Sequence, residues 1–131
     1  MSAASIGQIL IDTCGWVDFL RARDGILGDQ VESAMVHDRA CLCSVSVAEL
    51  LLGVKGVKEK KQLEMMFASV ALLHVEPADW YSAGQSLQAL RGKGFHIPLT
   101  DALIAAVAIR HNLPVLTVDK HFARLGVTLV D

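Results

Sequence analysis

The sequence predicts an α/β fold: a three-layer α/β/α sandwich around a doubly wound, mainly parallel sheet. Three observations carry that reading. Short apolar runs without polar alternation, QILI, CLCSV, ALLHV, VLTV and VTLV, recur along the chain, as expected of strands covered by helices on both faces. Segments with helical punctuation separate them, which is the connectivity of parallel strands joined by crossovers. Acidic residues stand where several of these runs end, and strands of an open parallel sheet deliver their carboxyl ends to one crevice.

Taken in order, Gln8 to Asp12 reads as a short central strand, and residues 15–23 and 25–38 read as helices. CLCSV at 41–45 reads as the second strand, with a helix starting at Ser46. Residues 57–69 form a charged amphipathic helix, followed by the strand ALLHV at 71–75. Pro77 suits the first turn of a helix that runs to about Arg91 and is stopped by Gly92 and Gly94. Residues 99–111 are continuously apolar with small alanines, as for a helix pressed against a sheet, and Asn112 and Pro114 end it. VLTV at 115–118 and VTLV at 127–130 are two more strands, separated by one helical turn over 120–125.

At 131 residues the chain fits one domain spanning residues 1–131. Apolar residues make up 53% and charged residues 20%, with a mean hydropathy of +0.43, so part of the apolar surface is expected to meet a partner. No apolar run approaches the roughly 20 residues that span a bilayer. The start, MSAASIGQ, lacks the basic and apolar regions of a signal peptide. A cytoplasmic location is the expectation. The three cysteines, Cys14, Cys41 and Cys43, lie in apolar contexts and suggest reduced, packed thiols rather than a disulfide framework or a zinc site.

Net charge is −2 from 12 basic and 14 acidic residues, which by itself does not suggest a polyanion partner. Setting aside the acids of one candidate site leaves the bases in excess, and bound divalent cations would shift the field further positive. Candidate phosphate contacts are Arg21 and Arg23, the run from Lys55 to Lys61, Arg91 and Lys93, and Lys120 and Arg124. Any one of these read alone is ordinary solvated surface.

Four carboxylates carry the chemistry: Asp12, Glu49, Asp101 and Asp119. Singly, each has a structural explanation. Asp12, before Thr13, suits a helix cap. Glu49, three residues after Ser46, matches a capping box. Asp101 stabilises a helix N-terminus by about 0.3–1 kcal/mol, and Asp119 suits the start of the turn DKHF. As a set they sit at ends that the topology places on one edge. Clustered like charges demand a counter-charge, and an oxygen-rich cluster suits Mg2+ or Mn2+. Thr13 and Thr117 are placed to orient these carboxylates through hydroxyl hydrogen bonds.

With these residues in hand, the chain resembles the PIN-domain ribonucleases, and within them the VapC-type toxins of toxin–antitoxin pairs. Nearly the whole chain takes part. The matching pieces are the opening strand with Asp12 and Thr13, the segment SVSVAELLLG with Glu49, and LTDALIAAVAIRHNLPVLTVDKHFARL with Asp101 and Asp119. Cys14 and Gly15 are less usual neighbours of the first acid, and His121 stands where some relatives carry another acid or Asn. The resemblance implies a PIN-like α/β/α sandwich whose four acids are catalytic and hold the metal. It implies an endoribonuclease acting on tRNA or rRNA and leaving 5′-phosphate and 3′-hydroxyl ends. Among the basic residues, Arg21 and Lys120 are the candidate substrate contacts. The resemblance also implies a VapB-type antitoxin covering the crevice and a homodimer. Trp16, Phe19, Leu20, Leu51, Leu52 and Met65 are candidate contributors to such contacts.

One alternative lies within the enzyme class and two belong to other classes. Metal-free cleavage through the 2′-hydroxyl would need an acid–base pair drawn from His74, His96, His111 and His121, and their spacing gives none. A magnesium-binding phospho-receiver, or a non-catalytic protein-binding module, would gather acids at strand ends without cutting anything.

Overall fold

The computed structural model of the chain describes residues 7–21 and 27–131. Arg23 and the junction between the first two helices lie outside the described residues. The central sheet has four parallel strands in the order β3-β2-β1-β4: β1 (Ile9–Ile11), β2 (Ala40–Cys43), β3 (Ala71–Leu73) and β4 (Val115–Leu116). Leu10 lies between Cys41 and Val115, and Ile11 between Leu42 and Leu116. This order separates the chain from receivers, whose flavodoxin-like sheet places the first strand between the second and third.

Side-chain alternation assigns the helices to two layers. Ile9, Ile11, Ala40, Leu42 and Leu116 point to one face, where they meet Trp16, Val31, Leu50, Leu63 and Met66. Those residues belong to α1 (Thr13–Leu20), α2 (Gly28–Val36), α3 (Ser44–Leu52) and α4 (Val57–Ser69). Leu10, Cys41, Cys43 and Val115 point to the other, against α6 (Leu99–Arg110) and Ala83 of α5 (Pro77–Gly92). Helix α6 is buried without interruption from Asp101 to Ala108, because its alanines let it lie close to the sheet. Gly15 does the same for α1: a Cβ there would stand 2.7 Å from Ile11 Cγ2.

Two expectations change. The last segment, 127–130, forms a single parallel bridge between Leu129 and Val115 rather than a strand. Only the Val115 amide and carbonyl face that edge, bonding Thr128 and Val130, while Leu116 turns its carbonyl to Asp12. Helix α3 starts at Ser44, not Ser46, because the extended Cys43 closes β2 and leads straight into the helix. Ser46 is therefore inside the helix and fully buried, and no capping box links it to Glu49. Among the described residues, a capping box is formed instead by Glu76 and Asp79 of α5.

Trp16 is fully buried, and so belongs to the core rather than to a contact surface, whereas Leu52 and Met65 are well exposed. The three cysteines are free thiols. Among the described residues no helix is long and apolar enough to cross a membrane.

Candidate metal centre and its hydroxyl frame

In the order β3-β2-β1-β4, consecutive strands step one way from β1 and then return to its other side at β4. Ligands of doubly wound sheets sit at such a reversal, outside the strands' carboxyl ends. Asp12 follows β1 immediately, and its amide donates to Leu116 O of β4 at 3.0 Å. That bond fixes the residue at the end of the ladder. Its side chain caps α1 and is nearly inaccessible, yet fully engaged. Oδ1 accepts from Thr13 N at 2.8 Å, and Oδ2 accepts from Thr117 Oγ1 at 2.9 Å and from Cys14 Sγ at 3.2 Å.

Asp119 N donates in turn to Thr117 Oγ1 at 2.9 Å. Thr117 thus joins the first and last of the four candidate acids through one hydroxyl. Asp119 opens the 3-10 turn Lys120–Arg124 by accepting from His121 N at 2.9 Å, which is the turn-starting role its position suggested. Asp101 lies in the first turn of α6. The Nδ1 atom of His121 stands 2.9 Å from Asp101 Oδ2 and 3.2 Å from Asp119 Oδ1.

Asp101, Asp119 and His121 each offer a ligand atom within 4.8 Å of the others. Electrostatics draw in Asp12 as well. Burial pushes the Asp12 carboxyl above its ordinary range despite its donors, and the Asp119 charge adds to the shift. Burial likewise raises Asp101, with the charges of Asp119 and Asp12 raising it further. Burial and neighbouring charge both disfavour the ionised forms of Asp12 and Asp101, and an imidazole nitrogen with carboxylate oxygens is a donor set that divalent cations accept. The residues therefore fit a metal site.

Glu49 stands apart from that trio. It lies in the second turn of α3 and its Oε1 accepts from Thr13 Oγ1 at 2.7 Å. It lines a groove between α1, α3 and α4 together with Arg21, Val17, Leu20 and Leu63. Arg21 and Lys120 are both exposed, Arg21 at the end of α1 and Lys120 beside Asp119.

The sequence alone does not mark three side chains at this edge: His121 as a metal ligand, Ser46 as a partner of Thr13 and Cys14 as a donor to Asp12. The only sequence signal for His121 is its place two residues after Asp119 in a short turn. Ser46 was masked by its resemblance to a cap.

Residues 9–127 match the PIN domain family. Ribonuclease VapC11 of Mycobacterium tuberculosis is 31% identical over 119 residues, covering 88% of this chain and 89% of the relative. The chain belongs to the PIN-domain VapC ribonucleases. FitAcB from Neisseria gonorrhoeae superposes on this PIN domain with a TM-score of 0.78 and 25% identity, covering 95% of this chain and 97% of that one. VapBC2 from Rickettsia felis, solved with a DNA fragment from its promoter, gives 0.78 at 20% identity over 94% of this chain and 96% of that one, and shares the fold.

Proposed function

We propose that the chain, as one PIN-like domain over residues 1–131, is the toxin of a toxin–antitoxin pair: an endoribonuclease that hydrolyses RNA phosphodiesters with a divalent cation. The observation that carries this is the meeting of Asp12, Asp101, Asp119 and His121 at the β1/β4 edge in a chain of this family. Asp101, Asp119 and His121 would hold the ion, with Asp12 beside them and Glu49 as a further ligand through water or as the group that takes the nucleophile's proton. A bound Mg2+ or Mn2+ supplies a nucleophilic water near neutral pH and neutralises charge on the leaving oxygen.

The protein's own part is positional. Thr13 N, Cys14 and Thr117 leave Asp12 no freedom to turn away. Thr117 spaces Asp12 from Asp119. Arg21, beside Glu49 in its groove, and Lys120, next to Asp119 in the chain, would engage the RNA backbone, so binding should weaken with salt. Water adds to phosphorus in line with the departing 3′-oxygen, the P–O3′ bond breaks, and that oxygen takes up a proton. The products carry 5′-phosphate and 3′-hydroxyl ends.

The substrate would be a splayed loop of tRNA or rRNA, whose unstacked nucleotides are accessible to protein side chains. A VapB-type antitoxin fits the groove beside Glu49, whose Val17, Leu20, Leu50 and Leu63 would receive apolar side chains. A second copy of the chain completes the assembly as a homodimer, and the cytoplasm supplies the RNA.

The test is induction of wild type and Asp101→Asn in cells with mapping of new RNA 5′ ends, together with cleavage in vitro with and without EDTA. Loss of new ends in the variant and loss of cleavage on chelation are expected. Identical cleavage by the variant, or cleavage that survives excess chelator, overturns the proposal.

A further inference from the structure

We infer that Ser46 is a positioning residue for this reaction: its buried hydroxyl sets the direction of a hydrogen-bond relay, Ser46 to Thr13 to Glu49, that fixes the Glu49 carboxylate. The inference rests on Glu49 acting in the site, as proposed above.

The geometry leaves one arrangement of protons. Thr13 Oγ1 is 2.8 Å from Ser46 Oγ and 2.7 Å from Glu49 Oε1. A threonine hydroxyl has a single proton, and an ionised carboxylate only accepts. The Thr13 proton therefore goes to Glu49. Were it turned to Ser46, two unprotonated oxygens would face each other at 2.7 Å. Thr13 has only lone pairs left for Ser46, so Ser46 donates.

Ser46 is fully buried, which keeps water from competing for its proton. Its side chain has no other hydrogen-bond partner among the described residues. Donation into Thr13 polarises the second bond, as in any chain of hydroxyls at low dielectric. Ser46 and Glu49 lie three residues apart on one face of α3, so the helix grips the Thr13 side chain of α1 from two positions. The same residue presents its backbone amide to Asp12. One threonine thus orients two of the candidate acids, and Ser46 is what aims its hydroxyl.

The experiment is a double-mutant cycle on the full-length, antitoxin-free chain, read by titration with Mn2+ alone and by RNA cleavage. Ser46→Ala should weaken Mn2+ affinity and lower kcat by about tenfold, the low end of effects seen for residues that orient ligands, with KM and melting temperature close to wild type. In a Glu49→Ala background the same substitution should change nothing further, because its effect travels through the carboxylate. Thr13→Val, which removes the donor itself, should cost at least as much and be equally silent without Glu49. It runs the same cycle should Ser46→Ala fail to fold. Additive effects in the Glu49→Ala background overturn the relay and leave Ser46 a packing residue. If Glu49→Ala by itself keeps wild-type Mn2+ affinity and cleavage, the role proposed for Glu49 fails instead, and the relay with it.

Discussion

Nδ1 of His121 lies 2.9 Å from Oδ2 of Asp101, tying the turn after β4 to the first turn of α6. Asp119 Oδ1 is 3.2 Å from the same nitrogen, so one imidazole nitrogen serves both acids. The hydrogen bond to Asp101 raises the His121 pKa above its ordinary value, with the Asp119 and Asp101 charges adding to it. A group whose folded pKa is raised contributes stability that is complete below its unfolded pKa and lost as pH rises through the folded one. In chelator, the difference in melting temperature between wild type and His121→Gln should therefore shrink from mildly acidic to mildly alkaline pH. A difference that stays constant contradicts a charged imidazole between the two acids. Mn2+ affinity should rise over the same range, since the ion displaces that proton.

Asp101→Asn should separate activity from stability. Burial is the first cause of the raised Asp101 pKa, and the charges of Asp119 and Asp12 increase it. A carboxyl with a raised folded pKa destabilises the fold once ionised, and this penalty sets in as pH rises from the unfolded pKa through the folded one. The amide removes the charge while keeping an oxygen for His121. Metal-free melting at neutral pH should show the variant equal to wild type or more stable by about 0.5–2 kcal/mol, with cleavage abolished. A clear drop in stability would mean that the acids do not repel one another in the folded protein.

The sheet, its helices and the edge that gathers Asp12, Asp101 and Asp119 were legible in the sequence because each depends on local pattern. Apolar runs without alternation marked buried parallel strands, and Pro77, Gly94 and Asn112 marked helix ends. Gly94 and Asn112 adopt positive φ where α5 and α6 stop. What was not legible depends on partners distant in sequence. Ser46 looked like a cap until β2 proved to run through Cys43, and its true neighbour, Thr13, is 33 residues away. His121 needed Asp101, 20 residues away, to reveal its place. The fifth strand failed because β4 offers that edge a single residue, which no pattern within VTLV encodes.

Cys14 should behave as an inert hydrogen-bond donor. Its thiol lies 3.2 Å from Asp12 Oδ2, and burial first, then the Asp12 charge, hold its pKa above the ordinary thiol value. Cys41 and Cys43 are pushed up to about 11 by burial. The thiolate is the reactive form, so peptide mapping after iodoacetamide should find all three labelled far more slowly in the folded protein than in urea. Rapid native labelling at Cys14 would contradict a protonated thiol on Asp12. Cys14→Ser keeps a donor and should retain cleavage, whereas Cys14→Val, which removes it, should lower kcat.

The ion pair of Asp79 with Arg110 tests stability at the opposite end of α6 from Asp101. Arg110 Nε donates to Asp79 Oδ1 at 2.9 Å, and one terminal nitrogen donates to Oδ2 at 2.8 Å and to His74 O at 2.9 Å. Asp79 is 2% exposed and also accepts from Glu76 N, so the pair clamps the start of α5 to the end of α6. Asp79 is inaccessible while Arg110 is partly exposed, so removing the guanidinium takes the main donor from a buried carboxylate that water can then partly reach, and Arg110→Ala should cost about 1–3 kcal/mol in urea unfolding at neutral pH, with cleavage per folded molecule unchanged. The bond to Arg110 is the main cause of a lowered Asp79 pKa. A depressed carboxyl contributes stability present above its unfolded pKa and lost as pH falls through the folded one, so the gap between wild type and variant should narrow in acid. A cost below about 1 kcal/mol would rank the contact with solvent-exposed ion pairs and remove it as the clamp between the two helices.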